Sequence, residues 1–265
     1  MPKTPRFSSD AEQAPAPSPP RRPAALVTGG SGGIGRAVCL TFAQAGWKVG
    51  VHYHQRREEA ERTAGLVKDR GGESLLCRAD IRDGRQVERI VKEFVERWER
   101  LDVLVCNAGQ ASDALVLRMS AEQWASLIEI NLTGTFHCLR AAGPVMARQR
   151  DGAVVVVTSF SAFQGQAGQA AYAASKAGLL GLARTAAREW GRSNVRVNAI
   201  CPGWQRTELA GTSLPDDPGA SGVGEHVLGR LTDLDAVAQT VFHLALARDT
   251  SGQVWNCDSR ILWPC

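Results

Sequence analysis

Tyr172-Ala173-Ala174-Ser175-Lys176 sets a phenol and an amine four residues apart. On a helix that spacing puts both side chains on one face. Tyrosine in water ionises near pH ~10, too high to act as a base at neutral pH. A neighbouring ammonium stabilises the phenolate and lowers that value. Ser159 lies thirteen residues earlier, at the end of an apolar run, and its hydroxyl can hydrogen-bond a carbonyl oxygen that becomes an alkoxide. Together the three groups could move a proton to or from an oxygen. Alone, a Tyr/Lys pair is an ordinary helix-surface pair, so the surrounding chain has to decide between the two.

A second constellation comes much earlier. Thr28-Gly29-Gly30-Ser31-Gly32-Gly33-Ile34-Gly35 follows an apolar run and opens a helical stretch. Glycines let the backbone turn sharply and approach a pyrophosphate with no Cβ in the way. The helix N-terminus behind them offers unpaired N–H groups and the positive end of its dipole. In this strand–loop–helix context the stretch reads as a dinucleotide site. The next strand ends in His52-Tyr53-His54-Gln55-Arg56-Arg57, with no acid before Glu58 to hold ribose hydroxyls. A 2′-phosphate would find Arg56, Arg57 and the two histidines there. That selects NADP(H) over NAD(H), the alternative being that the arginines simply begin a solvated helix.

Both constellations need elements to position them. Short β-branched runs at 24–28, 48–53, 74–78, 103–107, 153–159, 196–201 and 253–258 read as strands. Helical stretches at 33–45, 57–70, 84–98, 121–149, 171–192 and 233–246 alternate with them. Continuously apolar strands such as Val154-Val155-Val156-Val157 are expected to be covered on both faces. The alternation implies right-handed βαβ units: α/β, a single doubly wound Rossmann-type domain with a parallel seven-stranded sheet. Residues 1–23, rich in Pro and Ala, read as a disordered tail before a domain at 24–265. Residues 211–224 carry Pro215, Pro218 and several glycines, and read as a substrate lid or an inert surface loop.

Composition excludes little but is consistent. Of 265 residues, 44% are hydrophobic and 22% charged, and the net charge of +4 is too weak and scattered to point to nucleic acid. The seven cysteines are dispersed, with neither a C-x-x-C pair nor zinc spacing, so no metal is expected and a reducing, cytoplasmic setting is. No run of eighteen apolar residues suggests a membrane span.

From Ala24 to Asp258 the chain resembles the short-chain dehydrogenase/reductase family. The residues that carry the resemblance are Thr28-Gly29…Gly33-Ile34-Gly35, Asp80, Asn107-Ala108-Gly109, Asn131, Ser159, Tyr172, Lys176 and Pro202-Gly203…Thr207. The resemblance implies a catalytic set of Ser159, Tyr172 and Lys176, with Asn131 completing a proton relay through water. It implies that Thr28, Gly29, Ser31, Gly33, Ile34 and Gly35 cradle the cofactor phosphates, and that Tyr53, His54 and Arg56 face its ribose. It further implies that Asp80 and Ile81 contact adenine, that Asn107, Ala108 and Gly109 support the cofactor, that Tyr172 and Lys176 reach the nicotinamide ribose, and that Pro202, Gly203 and Thr207 flank the carboxamide. Asp113-Ala114-Leu115-Val116-Leu117-Arg118-Met119, Gly168-Gln169-Ala170-Ala171-Tyr172 and Gly229-Arg230-Leu231 are similar to the 3-oxoacyl-[acyl-carrier-protein] reductase branch. That branch implies NADPH-dependent reduction of a small carbonyl or acyl-thioester substrate, an acyl carrier protein as partner, fatty acid biosynthesis as the setting, and a homotetramer.

The chain departs from the family at Cys106, where Asn is usual, and at Gly32, where NADP(H)-dependent relatives often carry a basic residue. It departs again at Asn256-Cys257-Asp258-Ser259-Arg260, which replaces an Asp-Gly-Gly ending. Trp204, Phe160, Phe163 and Gln166 are candidate pocket residues, although an aromatic beside a strand is more often core. If the two long helices pair as in the family, the arginines at their ends, Arg148, Arg150, Arg188 and Arg192, could form the basic surface near the pocket mouth that an acidic carrier needs. The rivals are the same chemistry on a sugar, polyol or xenobiotic ketone, and a dinucleotide-sensing scaffold without turnover.

Overall fold

A computed structural model describes residues 21–203, 205 and 226–261. Most of the expected tail, the expected lid at 211–224, Trp204, Thr207 and Cys265 lie outside the described residues.

Seven strands form one sheet: β1 (Ala24–Val27), β2 (Lys48–Tyr53), β3 (Glu73–Arg78), β4 (Val103–Cys106), β5 (Gly152–Val157), β6 (Val195–Pro202) and β7 (Val254–Cys257). Their order is β3-β2-β1-β4-β5-β6-β7, and every pairing is parallel. The direction of winding reverses between β1 and β4, which makes the crevice at their C-terminal ends the ligand site expected of such a sheet. β1, β4 and β5 are buried at every position because helices cover both faces. Two apolar cores result, one against each face.

The helices are α1 (Gly33–Gln44), α2 (Arg57–Asp69), α3 (Gly84–Trp98), α4 (Ala121–Ile128), α5 (Gly134–Gln149), α6 (Ala170–Trp190) and α7 (Leu234–Leu246). Sequence periodicity predicts one continuous helix over 121–149. Instead a π-helical turn at Glu129–Thr133 separates α4 from α5. Its only local mark is Gly134, which follows the turn and opens α5. The break is explained by Asn131 at its centre, whose side chain is pulled into the interior by partners distant in sequence.

Local chemistry sets the element starts. Asp83 caps α3 by accepting from the N–H groups of Arg85 and Gln86. Ser120 and Gln123 form a reciprocal capping box on α4. By contrast, α1 begins at Gly32 with no side-chain cap and no acid in its first turn, leaving its N-terminal N–H groups to a ligand.

Candidate active site

The glycine loop is held to β2 and β4 by buried polar groups. His52 accepts the Gly29 N–H at Nδ1 (3.0 Å), and its Nε2 bonds the Ala79 carbonyl (3.0 Å). Burial lowers its pKa to about 4, so the ring is neutral. His52 is therefore a strut and not a phosphate ligand, which corrects one of the two histidines expected there. Thr28 is likewise committed: its hydroxyl donates to the Val105 carbonyl and accepts from the N–H groups of Asn107 and Ala108. The Asn107 amide donates back to the carbonyls of Thr28 and Gly29. Arg36, which sequence reasoning passed over, clamps the loop by donating to the Ser31 carbonyl at 2.7 Å. Its only signal was its place directly after Gly35.

Glycine is required where these pieces meet. A Cβ on Gly35 would lie 2.1 Å from the Gly29 carbonyl oxygen, and Gly29 itself has φ +66°. Beside this loop a cavity of about 240 Å³ has Gly29, Ser31, His52, Tyr53, His54, Arg56 and Asp80 in its lining, together with Ile81, Ala108, Gly109 and Gln110. These are mostly residues that the resemblance assigns to the cofactor. Arg57 does not line it, because its guanidinium pairs with Glu61 at 2.7 Å along α2. Asp80 is held below the usual carboxylate range mainly by hydrogen bonds from Arg82, with His54 3.8 Å away.

The catalytic candidates converge one strand further on. Thr158 clips the end of β5 to α6 by donating to the Lys176 carbonyl (2.9 Å). Ser159 follows in extended conformation and its Oγ accepts the Ser161 N–H at 3.2 Å. Burial raises the Tyr172 pKa, and the nearby Ser159 hydroxyl opposes that rise only in part. This corrects the expectation that Lys176 depresses it. The Lys176 amine instead donates to the Val157 carbonyl at 2.9 Å, standing 5.8 Å from the Tyr172 ring centre. Burial lowers the Lys176 pKa to about 8.

Asn131 is fully buried and spends its whole amide on protein. Its Oδ1 accepts the Gln110 N–H (2.8 Å), and its Nδ2 donates to the Gln110 carbonyl (2.9 Å) and to Ser175 Oγ (3.0 Å). It ties the loop after β4 to α6. Gln110 had no sequence signal, since its partner lies twenty-one residues away.

Pro202 and Gly203 end β6 beside Asp258, whose buried carboxylate meets Arg260 and His226. Phe160, a candidate pocket wall, is buried beneath the Arg260 guanidinium. Phe163 is partly buried against the core. The four arginines proposed for docking lie at the wrong end. Arg150 immediately precedes β5, and Arg192 follows Tyr172 by twenty residues of α6 and its last turn, roughly 30 Å at helical rise. Arg150 and Arg192 do adjoin each other, at 3.5 Å, but at the N-terminal end of β5 and β6, opposite the site.

Among the described residues no group of three or more His, Cys, Asp or Glu side chains is placed to hold a metal ion, and no helix is long and apolar enough to cross a membrane.

The family model described as short chain dehydrogenase matches residues 23–218. A 3-oxoacyl-[acyl-carrier-protein] reductase of Staphylococcus epidermidis is 39% identical over 221 residues, 83% of this chain and 90% of the relative. A 3-oxoacyl-[acyl-carrier-protein] reductase of Synechocystis is 36% identical over 237 residues, 88% of this chain and 94% of the relative. Among solved structures, levodione reductase superposes with a TM-score of 0.84 at 29% identity, covering 89% of this chain and 96% of that one.

Proposed function

Because the chain belongs to the short-chain dehydrogenase family, and so is an NAD(P)-dependent oxidoreductase, we propose that it is a cytoplasmic NADPH-dependent reductase of 3-oxoacyl thioesters carried on an acyl carrier protein. The observation that carries the reading is the convergence of Ser159, Tyr172 and a buried Lys176, whose amine stands 5.8 Å from the Tyr172 ring centre, near a glycine-lined cavity.

The residues present fit a dinucleotide. The Gly29–Gly35 turn has no room for a Cβ, α1 presents uncapped N–H groups, and Arg56 lines the cavity with no acid at the end of β2. Two residues past Gly203, the buried amide of Gln205 has neither polar atom hydrogen-bonded, a deficit that a carboxamide group would relieve. NADPH supplies the hydride in this reading.

The protein's own groups do the rest. Ser159 and Tyr172 present hydroxyls to a substrate carbonyl oxygen as it gains negative charge. A phenol whose pKa is raised by burial keeps its proton at neutral pH, which suits an acid that must deliver it. Lys176, held by the Val157 carbonyl 5.8 Å from the Tyr172 ring centre, would hold the nicotinamide ribose beside the phenol. Asn131 holds the loop after β4 against α6. With its side chain engaged by Gln110 and Ser175, a water relay would use its main-chain carbonyl, which also accepts from Thr135. Exposed Leu115, Val116 and Leu117 lie beside the Ala114–Gln169 bridge, three residues before Tyr172, where an acyl chain would arrive.

The test is NADPH consumption by the purified protein with acetoacetyl-acyl-carrier protein. Turnover supports the reading, and none with thioesters but turnover with a cyclic diketone would favour the second reading, a small-ketone reductase, which the likeness to levodione reductase supports.

A further inference from the structure

The segment after β7 runs back to the catalytic serine. The carboxylate of Asp258 accepts a hydrogen bond from Nε of Arg260 at 2.8 Å and stands 3.0 Å from Nδ1 of His226, with all three side chains buried. The same carboxylate presses on the backbone at Gly203, where a Cβ would fall 2.1 Å from Oδ2. Arg260, only 4% exposed, lays its guanidinium 3.7 Å from the centre of the Phe160 ring. Phe160 is the residue after Ser159 and opens the short turn Phe160–Ala162. That turn is fixed at its other end by Ser161, whose N–H donates to Ser159 Oγ and whose hydroxyl donates to Gln169.

An ion pair this deep is a poor way to gain stability, because an apolar pair of equal volume avoids the desolvation cost. What the arginine adds is orientation. Its planar group is fixed at its edge by Asp258 and on its face by Phe160. Asp258 in turn is seated against Gly203.

We infer that Arg260 is a positioning residue: by bridging Asp258 and Phe160 it fixes the Ser159 turn relative to the Pro202–Gly203 strand end. The inference rests on the proposed carbonyl reduction, since those two segments are the ones that would hold the substrate oxygen and the nicotinamide. Small errors in the relative placement of two reacting groups cost large factors in rate, while each group still binds.

The experiment compares wild type, Arg260→Met, Arg260→Lys, Phe160→Leu and the Arg260→Met/Phe160→Leu pair. The probes are acetoacetyl-coenzyme A and ethyl acetoacetate, with NADPH and NADPH deuterated at the transferred position. Arg260→Met is expected to lower kcat at least tenfold on both probes and to raise the primary isotope effect, because hydride transfer becomes limiting. The Kd for NADPH, read by fluorescence titration, should stay within twofold. Phe160→Leu should act in the same direction, and the pair should be no worse than the worse single variant. A merely structural role would lower Tm and the active fraction but leave the isotope effect unchanged. That result, or losses that multiply in the pair, overturns the inference. Should Arg260→Met fail to fold, Arg260→Lys keeps the pairing with Asp258 without the planar stack, so wild-type kcat in both Arg260→Lys and Phe160→Leu overturns it equally. Wild-type turnover of the ketoester but not the thioester would sink the thioester assignment alone, and the Arg260 comparison is then read on the ketoester.

Discussion

Lys176 holds its amine 5.8 Å from the centre of the Tyr172 ring while hydrogen-bonding the Val157 carbonyl at 2.9 Å. The amine is buried at a cost that lowers its pKa from 10.5 to about 8. Below the folded value the lysine is charged in both folded and unfolded chains, and the burial cost is fully present. Between about 8 and 10.5 the unfolded chain binds more protons than the folded one, so stability rises with pH across that window. Lys176→Met should therefore be more stable than wild type at pH 7, by an amount on the order of 3 kcal/mol at most. The advantage should shrink as pH climbs toward 10.5. Urea unfolding at a series of pH values measures this, and a constant difference between the two proteins would contradict it.

Tyr172→Phe should leave NADPH binding intact and reduce turnover at least about 100-fold, the usual scale for losing a general acid. The raised phenol pKa adds a direction. Reduction needs the proton and should hold steady through neutral pH, whereas oxidation of the alcohol product needs the phenolate and should climb with pH into the alkaline range. Near wild-type reduction by the Phe variant would remove Tyr172 from the mechanism.

Much of this was legible in sequence because it is local. The strand–helix alternation follows from periodicity, and the parallel order from the length of the crossovers. The Tyr172–Lys176 spacing and the glycine turn carry their chemistry in a few adjacent residues. What sequence could not show depends on partners far apart along the chain. The π turn exists because Asn131 bonds Gln110 and Ser175, twenty-one and forty-four residues away. His52 looked like an anion ligand beside Arg56 until its two ring nitrogens proved to be committed to Gly29 and Ala79. The arginines at the ends of α5 and α6 do meet, as their positions suggest, but a helix that starts at the site must end far from it.

The cofactor prediction now separates two neighbouring arginines. Arg56 lines the cavity, and Arg57 is paired with Glu61. Arg56→Ala should weaken NADPH by about 1–3 kcal/mol, the range for a charge-assisted hydrogen bond, and leave NADH nearly unchanged. Arg57→Ala should change neither. Titration calorimetry decides, and equal affinity for the two cofactors in the parent protein would remove the preference altogether.

For assembly, a homotetramer is expected through the α4–α5 face, where Trp124 and Phe136 are each 43% exposed. Among the small residues of α5 and α6, Ala142 is buried in this chain's own core, and Gly178 lies against Leu132. Ala177 and Gly181 remain exposed on α6. Trp124→Glu with Phe136→Glu should lower the mass seen by light scattering, and a parent protein that is already monomeric at micromolar concentration would refute the assembly.

Two glycines in the cleft should respond differently to the same added methyl group. At Gly35 the new Cβ would meet the Gly29 carbonyl oxygen at 2.1 Å and the Gly29 carbonyl carbon at 2.8 Å. Those are backbone atoms of a turn that is itself fixed by His52 and Asn107, so they have nowhere to go. At Gly109 the Cβ would press only on a side-chain atom, Asn131 Oδ1 at 2.9 Å, and would sit in ordinary contact with Lys176 Nζ at 3.6 Å. Gly35→Ala should therefore abolish dinucleotide binding or folding. Gly109→Ala should fold and still bind NADPH, but lose turnover as the Asn131 strut is displaced from Gln110 and Ser175. Fluorescence titration with NADPH alongside a turnover assay reads both, and a Gly35→Ala protein that binds NADPH normally would show that the loop is not packed against itself as described.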